Sequence, residues 1–145
     1  MYDFTLADRL CAKDLETLQL ERLQEAIARA LKSPHYARVL GQAKITPRSL
    51  NSLDDLARLP LTTKDDLRAE MPWGFLAVPR REVARMHYSS GTTGIATAVY
   101  HTRDDLRRWA ECVARGMLAV GVTADDVFQN MMGYGLFTGG LGFHY

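Results

Sequence analysis

Cysteine is scarce in this 145-residue sequence: Cys11 and Cys112 stand far apart, and neither belongs to a Cys-x-x-Cys or Cys/His group. A disulfide framework and a zinc cluster are thereby excluded, no metal site is visible, and a reducing compartment fits best. Charge of one sign is lacking as well, since 18 basic residues face 17 acidic ones for a net charge of +1. No global field therefore favours nucleic acid or an anionic membrane, and neither is expected as a partner. No apolar run approaches the roughly 20 residues of a membrane span. Met1-Tyr2-Asp3-Phe4-Thr5 also lacks the basic start and apolar core of a secretory leader. The expectation is a cytoplasmic protein. Internal repeats are absent.

What is present is enough apolar material for a core, 47% of residues, and nothing in the composition suggests disorder. From Leu15 to Leu31 the apolar positions recur mostly at three and four, uninterrupted by glycine or proline, which predicts an amphipathic helix. Ser33-Pro34 closes it, and a second short helix over 35–40 is expected to end at Gly41. Ser49 and Ser52 are N-cap candidates, with a short helix running to Arg58. Thr62 to Arg68 reads as a capped helix with acidic residues in its first turn, ended by Pro72-Trp73-Gly74. Residues 1–81 thus form a helical N-terminal part. Residues 82–145 alternate strand, loop, helix and strand: strands over 83–88 and 97–102, a helix from Arg103 to Gly121 capped by Thr102, and a strand over 125–132. The order from Thr97 to Met131 suits a right-handed crossover onto a parallel sheet, so the fold class is α/β with a helical appendage.

Between the two strands lies Tyr88-Ser89-Ser90-Gly91-Thr92-Thr93-Gly94, the densest run of small hydroxyl and glycine residues in the chain. Gly91 and Gly94 let the backbone approach a ligand, and successive N–H groups in such a turn converge on an anion. Ser89, Ser90, Thr92 and Thr93 add hydroxyl donors. Each hydrogen bond to a charged phosphate oxygen contributes about 1.5–3 kcal/mol, so several would hold a triphosphate tail without a lysine. A Walker-type loop is excluded by spacing, because only two residues separate the glycines and Ile95 stands where its lysine would be. By residue type alone, a polar hairpin turn explains the stretch equally well.

The loop resembles the phosphate-binding signature of the adenylate-forming enzymes. Met132 to Tyr145, with Tyr134-Gly135-Leu136-Phe137-Thr138-Gly139-Gly140, resembles a segment of the phenylacetate–coenzyme A ligases at matching spacing. Leu18 to Leu23, Leu53 to Pro60 and Thr62 to Leu67 are similar to that family too, so the resemblance runs nearly end to end. It implies an N-terminal piece of an ATP-dependent acid–CoA ligase that adenylates a carboxylic acid and then transfers it to coenzyme A. It further implies ATP, Mg2+ and coenzyme A as cofactors, a small-molecule acid as substrate, and a phosphate site at Ser89, Ser90, Gly91, Thr92, Thr93 and Gly94. The acid pocket falls on Met132, Tyr134, Gly135 and Phe137, with Phe137 at the place of an aryl-binding ring. The family's adenine segment, magnesium-placing carboxylate and adenylation lysine have no counterpart here, so no catalytic residue is assigned and the chain alone is expected to be inactive.

Several readings stay open beside this one. Lys64, near a helix start, is either a phosphate or carboxylate contact or a solvated surface residue. Tyr134, Phe137, Trp109, Met131 and Met132 also suit a core, and His87 and His144 suit packing as much as chemistry. Two departures from the family are Ile95-Ala96 in place of Lys-Pro, and Met132 in place of an aromatic residue. The flexible thioether favours an acid other than phenylacetate, or weak discrimination among arylacetates. An unfinished parallel sheet exposes an edge, so a homodimer is expected. Alternatives are an enzyme that adenylates a cofactor without CoA transfer, as deazaflavin-adenylating relatives do, or a stand-alone nucleotide-binding or dimerisation module.

Overall fold

The structure is a computed structural model that describes residues 10–89, 96–135 and 138–144. The chain divides into two compact units between Pro79 and Arg80.

The first unit is helical. Helix α1 spans Ala12–Ala30 and α2 spans Pro34–Gln42. Ser33 joins them, its hydroxyl donating to the Ala30 carbonyl at 2.8 Å and accepting from the Tyr36 N–H at 3.4 Å, with Pro34 at the first helical position. That combination closes one helix and starts the next within a single residue. Ile27, Leu40, Ile45 and Leu50 are buried together, with Leu23, Ala30, Leu31, Tyr36 and Leu59 packed around them. Each fully buried aliphatic side chain in such a core contributes about 1.5–3 kcal/mol.

Helix α2 does not stop at Gly41 as its sequence suggests. It runs to Gln42, and the residue that turns back is Lys44, at φ 54°. The Lys44 N–H donates to the Gly41 carbonyl at 3.1 Å and the Ile45 N–H to the Leu40 carbonyl at 2.9 Å. This is a Schellman ending, in which burial of Leu40 and Ile45 holds a lysine where glycine is preferred. Ser49 likewise is not an N-cap: it is the last residue of a 3-10 turn over Pro47–Ser49, and its hydroxyl accepts from the Thr46 N–H at 3.0 Å. A second 3-10 turn, Leu53–Arg58, begins at Ser52, where the Asp55 carboxylate accepts from the Asn51 and Ser52 N–H groups. Helix α3, Lys64–Ala69, is capped by Thr63, whose hydroxyl accepts from the Asp66 N–H while Asp66 accepts from Thr63 in return.

The second unit contains β1 (Arg85–Tyr88), β2 (Ala98–His101), α4 (Arg103–Ala119) and α5 (Thr138–Gly142). The two strands pair antiparallel with Arg85 opposite His101 and Tyr88 opposite Ala98. Thr102 caps α4, accepting from the Asp105 N–H at 3.2 Å. Gly121, at φ 89°, ends it with the same pair of bonds seen after α2: Gly121 N–H to Leu118 and Val122 N–H to Met117, each 3.0 Å. The expected strand over 125–132 is not formed, and with it the parallel crossover is missing among the described residues. The Asp126 carboxylate accepts from the Thr123 N–H and hydroxyl, closing a local turn that competes with a ladder. Val127 and Met131 beyond it are 98% and 84% exposed, with no strand beside them among the described residues. No large apolar side chain described in this unit is buried to the level of the first unit's core.

Candidate functional site

The hairpin loop is set by its base. The Ser89 N–H donates to the Thr97 carbonyl at 3.0 Å, and the Ser89 hydroxyl accepts from the Thr97 N–H at 3.0 Å and from the Thr97 hydroxyl at 3.1 Å. Thr97 is buried, so these bonds satisfy polar groups that water does not reach. Ser89, read from the sequence as one phosphate donor among several, also ties the base of the hairpin to Thr97. With Thr97 donating to both lone-pair sites, the Ser89 proton is directed away from the clip. Ser90, Gly91, Thr92, Thr93 and Gly94 lie outside the described residues.

Beneath the hairpin, pairing puts Arg85, His87, Val99 and His101 on one face. His87 and His101 stand with ring centroids 4.8 Å apart, and the Trp109 ring of α4 meets both edge-on at 5.3 Å. His87 is 2% exposed, and among the described residues neither ring nitrogen has a hydrogen-bond partner. Burial pushes its pKa down and the Arg85 charge adds to the effect. The pKa of His101 is lowered first by burial and then by His87, with Asp105 opposing. Both rings are therefore neutral packing groups at pH 7. Burial alone would raise the pKa of Asp105, but its bonds from the Thr102 N–H and hydroxyl outweigh that and lower it.

The glycine-rich stretch folds onto itself. Tyr134 and Met132 are partly exposed, and the Tyr134 hydroxyl lies 3.3 Å from His144 Nδ1, the two rings edge to face at 5.5 Å. Asn130 bonds to both ends of the stretch: its amide donates to the Gly140 carbonyl at 2.9 Å and its Oδ1 accepts from the Met132 N–H at 3.0 Å. Gly140 is buried, and a Cβ there would stand 2.6 Å from the Gly133 carbonyl oxygen. Gly142 lies against the Trp109 ring, and Arg85 donates to the Leu141 carbonyl at 3.2 Å. Strand β1, α4 and α5 thus meet around Trp109. A Cβ at Gly135 would meet nothing within 4 Å among the described residues; Phe137 lies outside the described residues.

Lys64 is exposed at the start of α3, in the other unit. Tyr134 meets His144 and the Met132 backbone meets Asn130, while Asn130, Thr97 and His101 are residues that sequence reasoning passed over. Asn130 did carry a signal, being a strand-averse side chain inside the apolar run 127–132. Among the described residues no group of three His, Cys, Asp or Glu side chains could hold a metal ion, and no helix is long and apolar enough to cross a membrane.

No protein-family model matches the chain. It is 47% identical over 138 residues to a phenylacetate–coenzyme A ligase of Thermus thermophilus, covering 94% of this chain and 31% of that protein. The corresponding ligase of Aromatoleum evansii is 46% identical over 144 residues, covering 99% and 33%. The chain spans about a third of the length of these relatives. Among solved structures, 2-hydroxyisobutyryl-CoA ligase in its postadenylation state with 2-HIB-AMP superimposes with a TM-score of 0.81 at 31% identity, over 92% of this chain and 29% of that one. The same ligase with 2-HIB-AMP and CoA in the thioesterification state gives 0.76 at 34% identity. Over the third of their length that it spans, the chain is a homologue of the phenylacetate–coenzyme A ligases, with the α/β fold of the matching part of the acid–CoA ligases.

Proposed function

We propose that this chain is the phosphate-gripping and acid-binding part of an ATP-dependent acid–CoA ligase, which adenylates a carboxylic acid and passes the acyl group to coenzyme A. The observation that carries this reading is the 46% identity to a phenylacetate–coenzyme A ligase over 99% of the chain. The hairpin base adds to it: Ser89 and Thr97 are bonded to each other on either side of a run whose residue types, hydroxyl and glycine, suit an anion.

In this reading Ser89, Ser90, Gly91, Thr92, Thr93 and Gly94 hold the β- and γ-phosphates in line behind the attacked α-phosphorus and stabilise the departing pyrophosphate. That is positioning and electrostatics, with no covalent step on the protein. Magnesium would share the phosphate charge, with phosphate oxygens and water as its ligands, as is usual for this ion. Lys64 is a further contact to phosphate or carboxylate. Met132, Tyr134, Gly135 and Phe137 form the acid pocket, and Met132 favours an acid other than phenylacetate or weak discrimination among arylacetates. The exposed Val127 and Met131 support pairing with a second copy, and the two free thiols support a cytoplasmic setting.

The test uses the protein extended to the full length of its relatives, assayed for AMP and thioester formation with phenylacetate, indole-acetate, benzoate and medium-chain acids. Acid-dependent AMP release followed by thioester formation with CoA is expected. No AMP release with any acid sinks the ligase reading. Phenylacetate preferred by more than about tenfold in kcat/KM sinks the role given to Met132.

A further inference from the structure

One side chain holds the glycine-rich stretch together. Asn130 Nδ2 donates to the Gly140 carbonyl at 2.9 Å and to the Tyr134 hydroxyl at 3.4 Å, while Oδ1 accepts from the Met132 N–H at 3.0 Å. These bonds reach the backbone on one side of residues 133–139, the backbone on the other side, and the ring between them. Approach is already tight, because a Cβ on Gly140 would stand within 2.6 Å of the Gly133 oxygen and 2.9 Å of the Met132 oxygen. A carboxamide carries two N–H donors and an acceptor oxygen on one short side chain, which is what these three bonds use. Aspartate keeps the size and the acceptor but puts a negative charge against the Gly140 carbonyl; alanine keeps neither bond.

We infer that Asn130 is a positioning residue for the acid pocket, fixing where the Tyr134 ring stands relative to Met132. This rests on the reading that Met132 and Tyr134 line that pocket. Among the described residues the Tyr134 hydroxyl has two partners, Asn130 and His144. Without Asn130 the hydroxyl keeps, among the described residues, the contact to His144, which lies four residues beyond the Gly140 carbonyl that Asn130 also holds. All three bonds go to residues 132, 134 and 140, assigned to the acid side, so a displaced ring weakens the hold on the acid and not on the nucleotide.

The experiment compares Asn130→Asp and Asn130→Ala with the parent in the protein at its relatives' full length, varying acid and ATP separately. The expected result is an acid KM raised by about tenfold in both variants with the ATP KM within about twofold of the parent. Asp should be as impaired as Ala, since the donor is what is lost. Tyr134→Phe, which keeps the ring and removes the hydroxyl, should raise the acid KM in the same selective way and guards against an Asn130 variant that does not fold. An acid KM unchanged in these variants, or an ATP KM that rises equally, overturns the inference while leaving the ligase reading intact. A parent protein that releases no AMP with any acid overturns the pocket reading and this inference with it.

Discussion

Ser89 and Thr97 face each other across the base of the β1–β2 hairpin and exchange three hydrogen bonds, two of them accepted by the Ser89 hydroxyl. A single hydroxyl thus satisfies both the N–H and the side chain of a buried threonine. Ser89→Ala strands both donors, and an unsatisfied buried donor costs about 1–3 kcal/mol. Thermal unfolding of this chain should show a lowered melting temperature. Thr92→Ala and Thr93→Ala, assayed in the full-length protein, should instead leave melting unchanged and lose about 1.5–3 kcal/mol per charged hydrogen bond in ATP-dependent kinetics. Were Ser89→Ala to melt like the parent, the bonds to Thr97 would be dispensable to stability.

Stability should depend on pH through the histidine pair. Both His87 and His101 have folded pKa values lowered mainly by burial. Above the free histidine value of about 6.5 neither state is protonated and their contribution is complete. As pH falls below that value the unfolded chain takes up protons that the folded chain does not, so stability drops until the lowered pKa values are reached. The carboxylates Asp55, Asp66, Glu70, Asp105 and Asp126, also lowered, act in a separate and more acidic window. Melting curves between pH 8 and 5 are expected to be flat at first and then decline, with the decline reduced in His87→Leu. A decline of equal size in that variant would assign the effect elsewhere.

Two neighbouring positions in the first unit are open to improvement. Lys44 sits at φ 54°, a conformation that costs an ordinary L-residue about 1–2 kcal/mol and glycine almost nothing. Gly41 lies inside α2 with open space where a Cβ would go, and alanine is the better helix former by about 1 kcal/mol. Lys44→Gly and Gly41→Ala should each raise the denaturation midpoint, with roughly additive effect if the helix end does not shift. A lower midpoint for Lys44→Gly would mean that the lysine side chain itself holds the turn.

Gly140→Ala should do the opposite. Its new Cβ would collide with two backbone oxygens, of Gly133 and Met132, which cannot rotate away as a flexible side chain could. The expected outcome is displacement of the 132–134 segment, seen in the full-length protein as a raised acid KM. In this chain it should appear as loss of the close contact between Tyr134 and His144 in NMR spectra. Unchanged spectra would show that α5 can slide to make room.

Much of the architecture follows from local chemistry. Thr63 and Thr102 each precede an acidic residue by three positions, and both capping boxes formed where those patterns stand. Gly121 ends α4 because glycine at that point meets the conformation a Schellman turn requires. The hydroxyl-and-glycine run between two β-branched stretches is likewise legible as a connection between paired strands, and its likeness to an adenylate-forming signature points to the ligases. What the residue pattern could not decide were outcomes that depend on partners distant in the chain. The end of α2 passed Gly41 and fell on Lys44 because Leu40 and Ile45 gain more from the shared core than a lysine loses at positive φ. Residues 125–132 look like a strand yet make no ladder, since a strand is completed by a neighbour and the Thr123–Asp126 turn offers a local alternative. That a serine clips a hairpin and an asparagine anchors a loop depends on which groups the fold brings within about 3 Å of each. Only the tertiary structure supplies that proximity.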